Sequence, residues 1–116
     1  MLRKSILVIS DQHAPYHHID TLDFLSAIKE KYKPDCVVNI GDEMDWHSIS
    51  FHDSHPGLYS PSHELVVAKK FFTDLEKLFP KQYIMDSNHG SLVFRKATRH
   101  GLPHEIFKSY NHMLGV

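Results

Sequence analysis

Residues 6–13 read Ile-Leu-Val-Ile-Ser-Asp-Gln-His, and this stretch decides the fold. Ile6 to Ser10 is a continuous apolar run rich in β-branched residues, with no polar alternation. Such a run predicts a strand buried on both faces, the habit of parallel sheets. It breaks at once into the polar set Asp11, Gln12 and His13. The same design recurs twice. Cys36 to Ile40 is a second buried strand and runs into Gly41-Asp42-Glu43-Met44-Asp45. Gln82 to Asp86 is a third strand, and it runs into Ser87-Asn88-His89-Gly90.

Helical patterns fill the gaps. Asp20 stands as an N-cap before Leu22, Leu25, Ile28 and Tyr32 at helical spacing, and Lys33-Pro34-Asp35 ends that helix. Asp42 to Tyr59 is polar, aromatic and rich in histidine, with Pro56-Gly57 as a turn, and reads as loop with a short helix. Ser60-Pro61 is a cap and first-turn pair ahead of Leu65, Ala68, Phe72, Leu75 and Phe79. Phe71, Phe72 and Phe79 read as core. Two short helices follow, Ser91 to His100 and Pro103 to Met113, joined around Gly101. The order β-α-β-α-β-α-α predicts an α/β fold with a parallel sheet and flanking helices.

Composition narrows the function. At 116 residues the chain is one domain, 1–116. A net charge of −1 gives no general field for nucleic acid or an anionic membrane. No apolar run approaches the roughly 20 residues of a membrane span, and the N-terminus lacks a signal-peptide pattern. The expected location is the cytoplasm. A single cysteine, Cys36, excludes an intramolecular disulfide and reads as a small buried apolar residue. Histidine is the outlier, with 11 residues spread along the chain. It is the commonest metal ligand, although most surface histidines bind nothing.

In a parallel sheet the carboxyl ends of the strands share one edge, where ligands bind. Asp11, His13, Asp42, Asp45, Asn88 and His89 are therefore expected to converge. Carboxylates, imidazole and an amide oxygen form a hard donor set suited to Mn²⁺, Fe²⁺, Zn²⁺ or Mg²⁺. Each segment alone is also a common turn sequence; their joint position at three strand ends carries the reading. Trp46, His47, His52 and His55 follow the second segment and either contact substrate or pack a loop. Arg95, Lys96, Arg99 and His100 follow the third and either steer a phosphate or form a solvated helix face.

The three segments resemble the first three motifs of the calcineurin-like metallophosphoesterases, namely Asp-x-His, Gly-Asp-x-x-Asp and Gly-Asn-His-Asp/Glu. The stretch Ser10 to His17 is especially similar to phage and bacterial members. The resemblance runs from about Lys4 to Met113. It implies the N-terminal half of a four-layer α/β/β/α sandwich and the hydrolysis of a phosphomonoester or phosphodiester at two divalent metal ions. Mn²⁺ is the first expectation, with Fe, Zn, Ni or Mg as alternatives. Asp11 and His13 would bind the first ion, Asp42 would bridge, and Asn88 would bind the second. His89 would act beside the scissile phosphate, and Asp45 would orient His89 from behind.

The sequence departs from the pattern in three places. Ser87 stands where the family has a glycine, and that glycine serves an unusual backbone angle. Gly90 replaces an acidic residue. The Gly-His-x-His motif that supplies further ligands has no counterpart, since no Gly-His pair occurs. The second metal site is therefore expected to be incomplete, since the only later histidines, His100, His104 and His112, follow Asn88 too closely to match the family's spacing. The domain is expected to be truncated on its C-terminal side and to need self-association or a complementing C-terminal polypeptide. The expected partner is a phosphate ester, nucleotide or nucleic acid among the options, with no membrane. The location would be the host cytoplasm if the chain is phage-encoded. The alternative is a noncatalytic scaffold that binds a partner or nucleotide.

Overall fold

The computed structural model describes residues 4–116. Three short strands, β1 (Ile6–Ile9), β2 (Cys36–Asn39) and β3 (Gln82–Ile84), form a parallel sheet in the order β1-β2-β3. Helix α1 (Thr21–Tyr32) joins the first pair and α2 (Pro61–Leu78) the second. Both crossovers advance in the same direction, which puts both helices on one face of the sheet. The helices also touch each other. The sequence then continues into α3 (Leu92–Arg99) and α4 (Tyr110–Leu114). The α/β class read from the sequence stands. The stretch 103–113 is not one helix: a 3₁₀ turn at His104–Ile106 and extended backbone at Phe107 separate it from α4.

The core lies between the sheet and α2. Ile9 and Val37 meet Phe71, Phe72, Leu75 and Phe79, all buried, as the spacing of the aromatic residues predicts. Leu25 of α1 and Leu114 of α4 close its flanks. The strands are not buried on both faces. Register pairs Ile6 with Cys36, Val8 with Val38 and Val38 with Tyr83, so these five side chains share the second face. Among the described residues no helix covers that face: Ile6 is 62% exposed, Val8 55% and Tyr83 68%. Cys36 lies on it half-buried rather than in the core. Continuous apolar strands are normal where both faces are covered, so this sheet presents a bare apolar surface.

The caps also differ from expectation. Asp20 and Ser60 occupy the N-cap positions but make no side-chain cap bond. At α1 the local order comes from His18, whose ring accepts from the Asp20 N–H and whose carbonyl accepts from the Thr21 hydroxyl. No helix among the described residues is long and apolar enough to cross a membrane.

Candidate metal centre

The pairing of β1 and β2 does not stop where the strands do. The N–H groups of Asp11, His13 and Ala14 donate to the carbonyls of Gly41, Asp42 and Glu43, at 3.1, 3.0 and 2.8 Å. The Asp45 N–H returns a bond to the Ala14 carbonyl at 2.9 Å. Ala14 and Met44, both fully buried, anchor the paired loops in the core. Beneath them Asn39 donates to Gln12 Oε1 at 2.8 Å, and Asn39 Oδ1 accepts from the Gly41 N–H. The two loops are thereby laid side by side with their acidic and imidazole side chains on the open edge.

The backbone here is strained. Asp11, His13 and Asp42 have φ of 54°, 50° and 52°, in the left-handed region that non-glycine residues rarely enter. Such conformations persist only where surrounding bonds over-determine them, and they cluster at functional sites. Here the loop-to-loop bonds do the fixing. Gly41, at φ 117°, is required sterically as well: a Cβ on it would lie 2.3 Å from Ser87 Cβ.

Three donors meet at this edge. One ligand atom each from His13, Asp42 and His89 lies within 4.8 Å of the others. The rings of His13 and His89 meet edge to face, with centroids 4.7 Å apart. His13 Nδ1 is 2.8 Å from Asp45 Oδ1, so it carries the proton and donates, and Nε2 keeps its lone pair. His89 Nδ1 is 2.6 Å from the Asp45 carbonyl, which can only accept, and the same tautomer follows. The His89 N–H donates to Asp42 Oδ1 at 3.1 Å. Asp11 Oδ1 stands 3.7 Å from His13 Nε2. An open cleft of about 280 Å³ is lined by Asp11, Asp42, Asp86, Ser87 and Asn88 among others.

All six candidate residues from the sequence therefore border this edge, but the Asn88 side chain is engaged by α3. The Asn88 side-chain oxygen accepts from the Arg95 guanidinium at 3.0 Å, and its carbonyl accepts from the same nitrogen at 2.7 Å. Asp45 reaches His89 through its backbone carbonyl, while its carboxylate orients His13. His89 joins the donor cluster itself. Ser87 has an ordinary backbone, and its hydroxyl accepts from the N–H groups of Asp42 and Gly90, at 3.0 and 3.1 Å. Gly90 leaves room for the Tyr110 hydroxyl, which a Cβ there would approach to 3.2 Å.

Two supports had no signal in the sequence. Glu64 of α2 is fully buried and accepts from the N–H groups of His47 and Ser48 and from the Ser48 hydroxyl. It fixes the 3₁₀ turn His47–Ile49 that follows Asp45. Glu43 is also fully buried, and the Tyr110 hydroxyl donates to its Oε1. Burial pushes the Glu43 carboxyl above its ordinary range, against the lowering effect of that bond. Burial, then the Glu43 charge, pushes the Tyr110 phenol up as well. The alternation of polar and apolar residues gave no hint that either carboxylate lies inside. Comparison of the chain with protein-family models, with curated proteins and with solved structures found no match.

Proposed function

We propose that this edge of the sheet is a divalent-metal centre for hydrolysis of a phosphate ester, as in the metallophosphoesterases whose motifs it resembles. The observation that supports this best is the meeting of His13, Asp42 and His89 donors within 4.8 Å, brought from three separate strand ends. Two imidazole nitrogens and a carboxylate suit Mn²⁺, Fe²⁺ or Zn²⁺. The Asp45 carboxylate behind His13 is the arrangement that fixes the tautomer and ring orientation of a ligating histidine. Asp42 belongs to the three-donor cluster and also lines the cleft with Asp11 and Asn88, where a shared carboxylate is needed. Asp11 and Asn88 would then serve a second ion, with Arg95 giving up Asn88 Oδ1.

Divalent ions held there would supply Lewis-acid polarisation of a phosphoryl oxygen. The chain's own residues do the positioning. Asp45 keeps the Nδ1 proton on both histidines, so each presents Nε2 outward. The strained loops hold Asp11, His13 and Asp42 in place before any ligand arrives. The bare sheet face around Val8 and Tyr83 supports a second copy or a complementing polypeptide as the cover that would complete a four-layer sandwich.

A noncatalytic scaffold is the second reading, favoured by the hold of Arg95 on the Asn88 oxygen. The test is Mn²⁺-dependent hydrolysis of bis(p-nitrophenyl) phosphate by the purified chain. Turnover abolished by EDTA and by Asp42→Asn is the expected result. A folded chain that binds Mn²⁺ without turnover favours the scaffold, and one that binds no Mn²⁺ overturns the metal centre.

A further inference from the structure

Beyond the donor cluster, α3 carries Arg95, Lys96 and Arg99 around the exposed ring of Phe51. Their charged groups stand 5.8, 4.6 and 4.3 Å from the ring centroid. The ion pairs among the described residues involve His13, His18 and Lys77 as their basic partners, so none of these three cations has a carboxylate within 4.0 Å. Lys96 reaches only the Ser50 carbonyl, at 3.3 Å. Three like charges on one ring repel one another. The ring quadrupole offsets part of that repulsion, and an anion would offset the rest. The chain as a whole carries −1, so this concentration of positive charge is local.

The patch is tied to the candidate centre. Arg95 holds both oxygens of Asn88, next to His89. Arg99 lies one helical turn further on, on the same face. Arg95 and Arg99 also wall a cleft of about 350 Å³ shared with Phe94, Thr98 and His104. Cations beside aromatic rings are how proteins hold a phosphate chain and its bases together.

We propose that Arg95, Lys96 and Arg99 on Phe51 bind a second phosphate of the substrate, one that is not cleaved. The substrate class is then a phosphate ester carrying a further phosphate, from a short single-stranded nucleic acid or a nucleoside polyphosphate. This rests on the phosphoesterase reading for its substrate, but the anion site itself can be tested without turnover.

The experiment compares the full chain with Lys96→Gln/Arg99→Gln and with Arg99→Lys. Binding of a fluorescein-labelled thymidine hexanucleotide is read by anisotropy in EDTA, between about 50 and 200 mM salt, with ATP as competitor. In the double variant the affinity is expected to drop about tenfold or more, and the salt slope to fall by about 0.7, the share of one phosphate. Arg99→Lys keeps most of the affinity. Binding of the oligonucleotide assigns the second phosphate to a nucleic acid; binding of ATP alone assigns it to a nucleotide. The kinetics on bis(p-nitrophenyl) phosphate, which has one phosphate, are expected to be the same in both variants. Wild-type binding that survives the double variant unchanged, or no binding of either probe, overturns the proposal. Loss of binding in the variant with no turnover by any form leaves the anion site standing and removes the phosphoesterase reading instead.

Discussion

The carboxylate of Asp45 and the imidazole of His13 are joined by a 2.8 Å hydrogen bond across 32 residues of sequence. The bond settles which nitrogen of His13 is protonated and turns the other toward Asp11 and Asp42. Asp45→Ala is expected to weaken Mn²⁺ binding by about 10–100-fold, the usual cost of losing such a partner. Titration calorimetry with Mn²⁺ checks this. Asp45→Asn, which still accepts from Nδ1, is expected to fall between the two. Equal affinity in wild type and Asp45→Ala would dissociate Asp45 from the centre.

Gly41 is held against Ser87. Gly41→Ala drives a Cβ to 2.3 Å from Ser87 Cβ at a φ of 117°. The expected loss is about 3 kcal/mol or more by urea denaturation. Pairing it with Ser87→Gly relieves the clash but removes the hydroxyl that holds the Asp42 and Gly90 N–H groups. The double variant is therefore expected to recover only part of the loss, and full additivity would rule out the contact as its cause.

Burial raises the Glu43 carboxyl above its unfolded value. The folded chain thus holds this proton more tightly than the unfolded chain does. Its contribution to stability is present at low pH, below the unfolded carboxylate value, and is lost as pH rises through the folded one. Glu43→Gln keeps an acceptor for Tyr110 and removes the charge. At pH 8 it is expected to be more stable than wild type by on the order of 1 kcal/mol, with the difference shrinking toward pH 4. A variant less stable at every pH would refute the account.

His17 stacks on Phe71 with ring centroids 4.0 Å apart, and its buried Nδ1 has no partner among the described residues. Burial lowers its basicity below the ordinary value of 6.5. The unfolded chain therefore takes up this proton first, and stability present above pH 6.5 is lost as pH falls below it. His17→Phe keeps the stack and deletes the unpaired nitrogen. Thermal melts between pH 5 and 7 are expected to show a smaller acid loss and a gain of about 1 kcal/mol. An unchanged acid slope would place the loss at other groups.

The α/β order, the three parallel strands and the convergence of their polar ends were legible in the sequence. Each strand is a short, mainly apolar stretch that ends in ligand-type residues, and parallel strands end on one edge. The burial of Phe71, Phe72 and Phe79 followed from helical spacing for the same local reason. Chain-distant relationships were not legible. Whether Asp45 serves His13 or His89 depends on a loop pairing that starts from positive φ at Asp11, His13 and Asp42, and no local pattern encodes that choice. The hold of Arg95 on Asn88 depends on where α3 starts. Glu43 and Glu64 look like surface residues in sequence, and only their partners, Tyr110 and the turn at His47, bring them inside. Residue pattern determined which groups reach the edge; tertiary hydrogen bonding between loops decided which of them face one another.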